Sequence, residues 1–331
     1  MINNSVVVHT HFHKRRTGVT RSIENIFPYI SNRMSAYIYG YNVKGKKIST
    51  IALFKLLFSN KHVTVHCHRN NEILRLLFFR VFGAKFKLVC TRHAETFPSK
   101  LSMFLFKKSD VLVTLTQKMS AAVGIENILI PHGVDTGLFT PNNKSIKPEI
   151  IRHNEYILCV GRIRKAKGQD VLIEASVPLL KENPNLALVI VGKVDNLSFF
   201  EDLKHTVKKN NLEKQIYFID ETEDILGYYQ CANFVVVPSN SEGFSLVCAE
   251  SMSCGITTIA TEGVGIHSNL ITPNVNGYLF KKQDSKGLNI LLKRLCNGEL
   301  PKLGVEARNE ITKNWSSEKE ALTLAKVYKS L

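Results

Sequence analysis

Asn233-Phe234-Val235-Val236-Val237-Pro238-Ser239-Asn240-Ser241-Glu242-Gly243-Phe244-Ser245-Leu246-Val247-Cys248-Ala249-Glu250 is the stretch on which the reading of this chain turns. Its opening run is short, apolar and β-branched, bounded by Pro238 and Ser239, as in a buried strand. The residues after Ser245 predict a helix, so the stretch reads as strand, small polar loop and helix start. Glu242 then lies in the loop and Glu250 in the first helical turns. Open parallel sheets bind ligands at such places, off the carboxyl ends of their strands. Taken alone, the same pattern describes a capped helix with two solvated glutamates, and the rest of the chain has to decide between them.

Working outward, strand-like runs recur with helix-length gaps. They are Val6–His9, Ala36–Tyr39, Val63–Cys67, Phe86–Thr91, Val111–Leu115 and Asn127–Ile130, then Tyr156–Gly161, Leu186–Gly192, Gln215–Ile219, Asn233–Pro238 and Ile256–Ala260. Strands alternating with helices imply β-α-β units and parallel sheets. Thr140–Pro148 is rich in Pro, Asn and Lys and reads as a linker. The expected architecture is α/β, with two Rossmann-like doubly wound domains, 1–148 and 149–331, facing each other across a cleft. The last helix is free to pack back on the first domain.

The net charge of +16 is one-sided. Residues 1–148 hold 22 Lys and Arg against 6 Asp and Glu, whereas residues 149–331 hold 22 of each. Such asymmetry points to a polyanionic partner of the first half: nucleic acid, an anionic membrane or a phosphorylated substrate. Segments of that half mix Phe and Leu with Lys and Arg, notably Phe54–Phe58, Leu74–Phe82 and Leu101–Lys108. On helices they fit either a membrane interface or ordinary packing on the sheet. No stretch approaches the roughly 18–20 uninterrupted apolar residues of a membrane span. The N-terminus does not read as a secretory signal, and seven scattered cysteines without Cys-x-x-Cys suggest free thiols in a reducing compartment. The expectation is a cytoplasmic protein, peripheral on the inner face of the membrane.

The second half opens with a strand ending in Gly161-Arg162, followed by Ile163-Arg164-Lys165-Ala166-Lys167-Gly168. Backbone can approach a phosphate there, with Arg162 and Lys167 supplying charge. Together with Pro238-Ser239 and Glu242-x7-Glu250, this pattern resembles the signature of retaining glycosyltransferases of family 4, which have the GT-B fold. The similarity extends to Asn276-Gly277-Tyr278-Leu279. It continues more weakly through Thr17-Gly18-Val19-Thr20-Arg21 and Pro131-His132-Gly133-Val134-Asp135.

What the resemblance implies is a set of roles. Arg162 and Lys167 match the pair that holds the donor diphosphate, in place of a metal or other cofactor. Gly243, Phe244 and Ser245 offer backbone N–H groups at a helix start, suited to phosphate or sugar oxygens. Glu242 matches the glutamate on the donor sugar and Glu250 the one on the ribose. His93 matches the histidine facing the donor from the other domain, and Gly18 the glycine near the phosphate. Glu242 and His93 are the expected catalytic residues. Phe12–Arg21 resembles lipopolysaccharide-core transferases, which makes Lys14, Arg15, Arg16 and Arg21 candidates for an anionic glycolipid acceptor. The implied activity is transfer of a hexose-like sugar from a nucleoside diphosphate-sugar to a lipopolysaccharide-core or other lipid-linked glycan.

Two departures stand out. The family's Gly-Gly-x-x-Glu appears as Glu262-Gly263-Val264-Gly265-Ile266-His267-Ser268, without the acid, and His132 replaces a common Asn. Two rival readings also exist. The alternating His9, His11 and His13, with His66 and His68, could begin a metal-dependent hydrolase, which also needs carboxylates and further histidines that the acid-poor first half hardly supplies. A nucleic-acid-binding protein would explain the charge but not the Arg162, Lys167, Glu242 and Glu250 set. No nucleic-acid partner is therefore expected.

Overall fold

The computed structural model describes residues 5–14, 16–142 and 144–331. The chain forms two compact units. The first runs to Asp135 and takes up Trp315–Leu331, and the second is Thr136–Asn314. The division therefore falls before Thr140–Pro148, the segment expected to link the domains. The reason is backbone satisfaction: Arg308 donates to the carbonyls of Thr136 and Phe139, Ser253 to Phe139, and Gln230 to Thr140. Turn-forming composition marks the segment as irregular, but the carbonyls that lead into it, Thr136, Phe139 and Thr140, are anchored to the second unit.

In the first unit, strands β1 (Val6–His11), β2 (Ser35–Gly40), β3 (Val63–Cys67), β4 (Lys87–Arg92), β5 (Val111–Thr114) and β6 (Ile128–Leu129) form a parallel sheet in the order β2-β1-β3-β4-β5-β6. Alternate residues point to opposite faces. Val6, Val8, Val65, Cys67, Leu88 and Cys90 pack with Leu53, Leu57, Ile73 and Leu105 on one side. Val7, Val89 and Val113 pack with Ile23, Ile26, Leu324 and Tyr328 on the other. Burial on both faces explains why these strands read as apolar runs.

In the second unit, β7 (Glu155–Val160), β8 (Leu186–Val191), β9 (Ile216–Ile219), β10 (Phe234–Val237), β11 (Thr258–Thr261) and β12 (Tyr278–Phe280) form a parallel sheet in the order β12-β11-β10-β7-β8-β9. All eleven runs expected as strands overlap strands β1 to β11. The missed strand, β12, has three residues, too few to show a period.

Candidate active site

In the second sheet β10 lies directly beside β7, while β8 and β11 follow on opposite sides. This reversal of strand order opens a crevice off the carboxyl ends, the usual ligand site of open α/β sheets. The two loops that leave β7 and β10 there are fastened to each other. Asn240 and Ser241 N–H donate to the Ala166 carbonyl at 2.9 and 3.2 Å, and Asn240 Nδ2 donates to the Lys165 carbonyl at 3.0 Å. Gly168, at φ +68°, passes so close that a Cβ would lie 1.9 Å from the Pro238 carbonyl oxygen. Only glycine fits both that backbone and that space.

Lys167 Nζ lies 2.6 Å from Glu242 Oε1, and Ser239 Oγ donates to the same oxygen at 2.6 Å. The two charged side chains are only 17% and 9% exposed. Residues expected to serve diphosphate and sugar separately thus form one ion pair. Burial pushes the Glu242 carboxyl up, but Lys167 and Ser239 outweigh it and hold the group below the usual carboxylate value. Arg162 stands half-exposed, with Nη1 3.8 Å from Asp195 Oδ2, a carboxylate it shares with Arg164. Gln169 fixes its backbone by donating to the Arg162 carbonyl at 2.9 Å.

Ser245 precedes the helix Leu246–Ser253 at φ +88°, a left-handed conformation that is costly for a non-glycine residue. His267 Nδ1 donates to the Thr261 carbonyl at 2.8 Å, so its Nε2 accepts from Ser245 Oγ at 2.9 Å. Burial lowers the His267 pKa, although Glu242 pulls it the other way. Gly265, at φ +53°, seats this loop against Glu242: a Cβ there would fall 2.8 Å from the Glu242 Cβ. The segment that lacks the expected acid thus brings a histidine to Ser245. Ser239 and His267 were not assigned roles from the sequence, since spacing along the chain says nothing of which loops meet. Glu250 is fully buried and accepts from the Tyr229 hydroxyl at 3.0 Å.

The first sheet reverses its order between β1 and β3. Gly18 begins the helix Gly18–Ser31 after β1, with open space where a Cβ would stand. Thr17 N–H donates to Thr20 Oγ1 at 3.0 Å. Arg69, which follows β3, reaches Thr17 Oγ1 at 3.3 Å and is a basic residue of this loop cluster that the sequence reading passed over. Lys14 is exposed, Arg16 pairs with Glu24 at 2.7 Å, and Arg21 lies half-buried on the helix. Arg15 lies outside the described residues.

His93 follows β4. Its Nε2 is 3.1 Å from His68 Nδ1 and its Nδ1 3.2 Å from His132 Nε2. Burial, with His132 and Arg69 nearby, lowers its pKa well below the usual imidazole value. His132 Nδ1 in turn donates to Glu320 Oε1 at 2.9 Å. His9, His66 and His68 do come together, with ligand atoms all within 4.8 Å. That group contains no carboxylate. His11 stands apart, both nitrogens engaged by the Tyr41 carbonyl and Thr20.

The chain is similar to lipopolysaccharide core biosynthesis mannosyltransferases. It is 28% identical to LpsB of Rhizobium meliloti over 278 residues, 80% of this chain and 79% of that protein. It is 25% identical to LpcC of Rhizobium leguminosarum bv. viciae over 344 residues, 100% of this chain and 97% of that protein. Among solved structures, Anabaena HepE in complex with UDP and glucose is similar at a TM-score of 0.81, with 16% identity over 98% of this chain and 99% of that one. The two doubly wound sheets are the GT-B architecture. Residues 142–316, more than half of the chain, match the model of the glycosyl transferases group 1 family, and the chain belongs to that family.

Proposed function

We propose that the protein is a retaining hexosyltransferase of glycosyltransferase family 4, taking its sugar from a nucleoside diphosphate-sugar without a catalytic metal. The observation that carries this reading is the meeting of Lys167, Ser239 and Glu242 beside the Leu246–Ser253 helix start where the second sheet reverses its order, with Arg162 on the same loop as Lys167. Arg162 and Lys167 would neutralise the diphosphate as the bond from its oxygen to the sugar breaks. The acceptor hydroxyl bonds to the same face of the sugar and gives its proton to the departing phosphate oxygen. Glu242 would hold the sugar hydroxyls, Glu250 the ribose, and Gly243, Phe244 and Ser245 the phosphate or sugar oxygens. His93 and Gly18 would take the roles that the family resemblance gives them.

The names of LpsB and LpcC favour mannose and a lipopolysaccharide-core acceptor. Lys14, Arg15, Arg16 and Arg21 suit a phosphorylated glycolipid. Membrane contact has its own support in the first unit. The helices Thr50–Leu57 and Asn70–Val81 bury Leu53, Leu57, Ile73 and Leu76 but expose Phe54, Leu74 and Phe78, and Phe58 and Phe82 just past their ends are exposed too, with Lys55 and Arg75 also exposed on them. Phe54 stacks on Phe58 at 5.6 Å and meets Phe79 at 5.0 Å, so the aromatics form one patch. A contiguous exposed apolar patch rimmed by bases suits an anionic lipid surface. No helix among the described residues is long and apolar enough to cross a membrane.

The test is a thermal-shift screen of UDP-, GDP- and ADP-sugars with and without EDTA. A donor-induced rise that survives EDTA is expected. Failure of every donor to stabilise the chain would refute the assignment, and loss of the increment in EDTA would refute the metal-free step.

A further inference from the structure

We propose that His9, His66 and His68 of the first unit form a buried binding site for a divalent transition metal of the zinc class. Strand register builds the group. His9 of β1 pairs with His66 of β3, and His68 stands two residues further on, so all three share a face of the sheet. Their rings lie with centroids 4.6 to 5.8 Å apart.

Two features point to a ligand rather than to packing. His9 Nδ1 and His68 Nε2 are buried side-chain nitrogens with no hydrogen-bond partner. Orphaned polar atoms at such depth are uncommon in folded chains. The second feature is a relay that fixes a lone pair. Glu320 Oε1 accepts the hydrogen bond of His132 Nδ1–H; in a neutral His132 the Nε2 then accepts from His93 Nδ1, and His93 Nε2 accepts from His68 Nδ1. His68 is thereby left with a bare Nε2 facing the group.

Metal-ligating histidines are commonly oriented by a hydrogen bond to their far nitrogen, and His93 holds His68 Nδ1 in this way. His66 is held by the Tyr328 hydroxyl at 2.5 Å and Thr91 Oγ1 at 2.7 Å, one of which yields its place to the metal. Tetrahedral bonds of about 2.1 Å separate ligand nitrogens by about 3.4 Å, so the rings tilt inward on binding. Glu320 and the buried Glu72, which accepts the His68 N–H at 2.9 Å, offset the charge. Three imidazole ligands suit zinc, cobalt or nickel better than magnesium or calcium.

The test does not involve donor binding, so it stands or falls apart from the proposed transfer reaction. The full chain is stripped with EDTA, freed of chelator and titrated with Co2+ and then Zn2+. We expect visible d–d absorption saturating at one equivalent, its displacement by zinc, and a zinc-induced rise in the unfolding midpoint. H9N and H68N should abolish all three, H13N should leave them intact, and E320Q should weaken zinc by about 10- to 100-fold. Absence of both the band and the thermal shift in the unmutated chain overturns the proposal. So does a band that persists in folded H9N or H68N. Should those variants not fold, unchanged zinc affinity in E320Q counts as the overturning result.

Discussion

Glu242 and Lys167 show how a single contact alters the expected chemistry of each partner. In the fold they neutralise each other, so a nucleoside diphosphate has to compete with Glu242 for the Lys167 ammonium. E242Q is therefore expected to bind nucleoside diphosphate as well as or better than the parent by calorimetry, while turnover falls. Weaker binding would show that the carboxylate holds the nucleotide. Glu250 behaves differently because it is fully buried against Tyr229. E250A should lose about 1–3 kcal/mol in urea unfolding as the tyrosine hydroxyl loses this acceptor. E250Q keeps an acceptor and should hold most of that stability while binding nucleotide poorly. His267 gives a pH signature. Its folded pKa is lowered from 6.5, so below that value the unfolded chain takes up a proton that the folded chain does not. Stability should fall as pH drops from about 6.5 toward the folded pKa, and H267N should make that fall shallower. Equal slopes in the two proteins would remove His267 from the account.

At the scale of elements, the site depends on two loops held in register at the ends of β7 and β10. Gly168 is the closest point between them, and G168A would set a methyl against the Pro238 carbonyl at a backbone angle that alanine resists. It should cost at least about 2 kcal/mol in urea unfolding and reduce donor binding with it. A fully stable G168A that binds donor normally would show that the loops do not need this approach. The strand of β10, the polar loop and the following helix were all legible in the sequence because a buried strand and a helix start carry strong local signals. The Lys167–Glu242 pair and the His267–Ser245 bond were not, because their partners lie 75 and 22 residues apart and meet only through strand order. The same holds for Glu320, which reaches His132 across 188 residues.

For the whole molecule, the excess of 16 positive charges within residues 1–148 joins an aromatic patch on the first unit. Sedimentation with anionic vesicles should retain the chain at low salt, release it progressively as salt rises, and fail for neutral vesicles. Replacing Lys55 and Arg75 with Glu should weaken retention, and retention equal to the parent's would place the lipid-binding surface elsewhere. The sequence by itself determined two doubly wound parallel sheets, the one-sided charge and the family signature, because strand burial, composition and short glycine-basic motifs are local properties. Only the tertiary structure decided that the units divide at Asp135, with the last helix returning to the first. It alone brought Lys167 onto Glu242 and gathered His9, His66 and His68 on one sheet face. Those outcomes depend on strand order and register, which pair residues far apart in the chain and leave no local pattern to read.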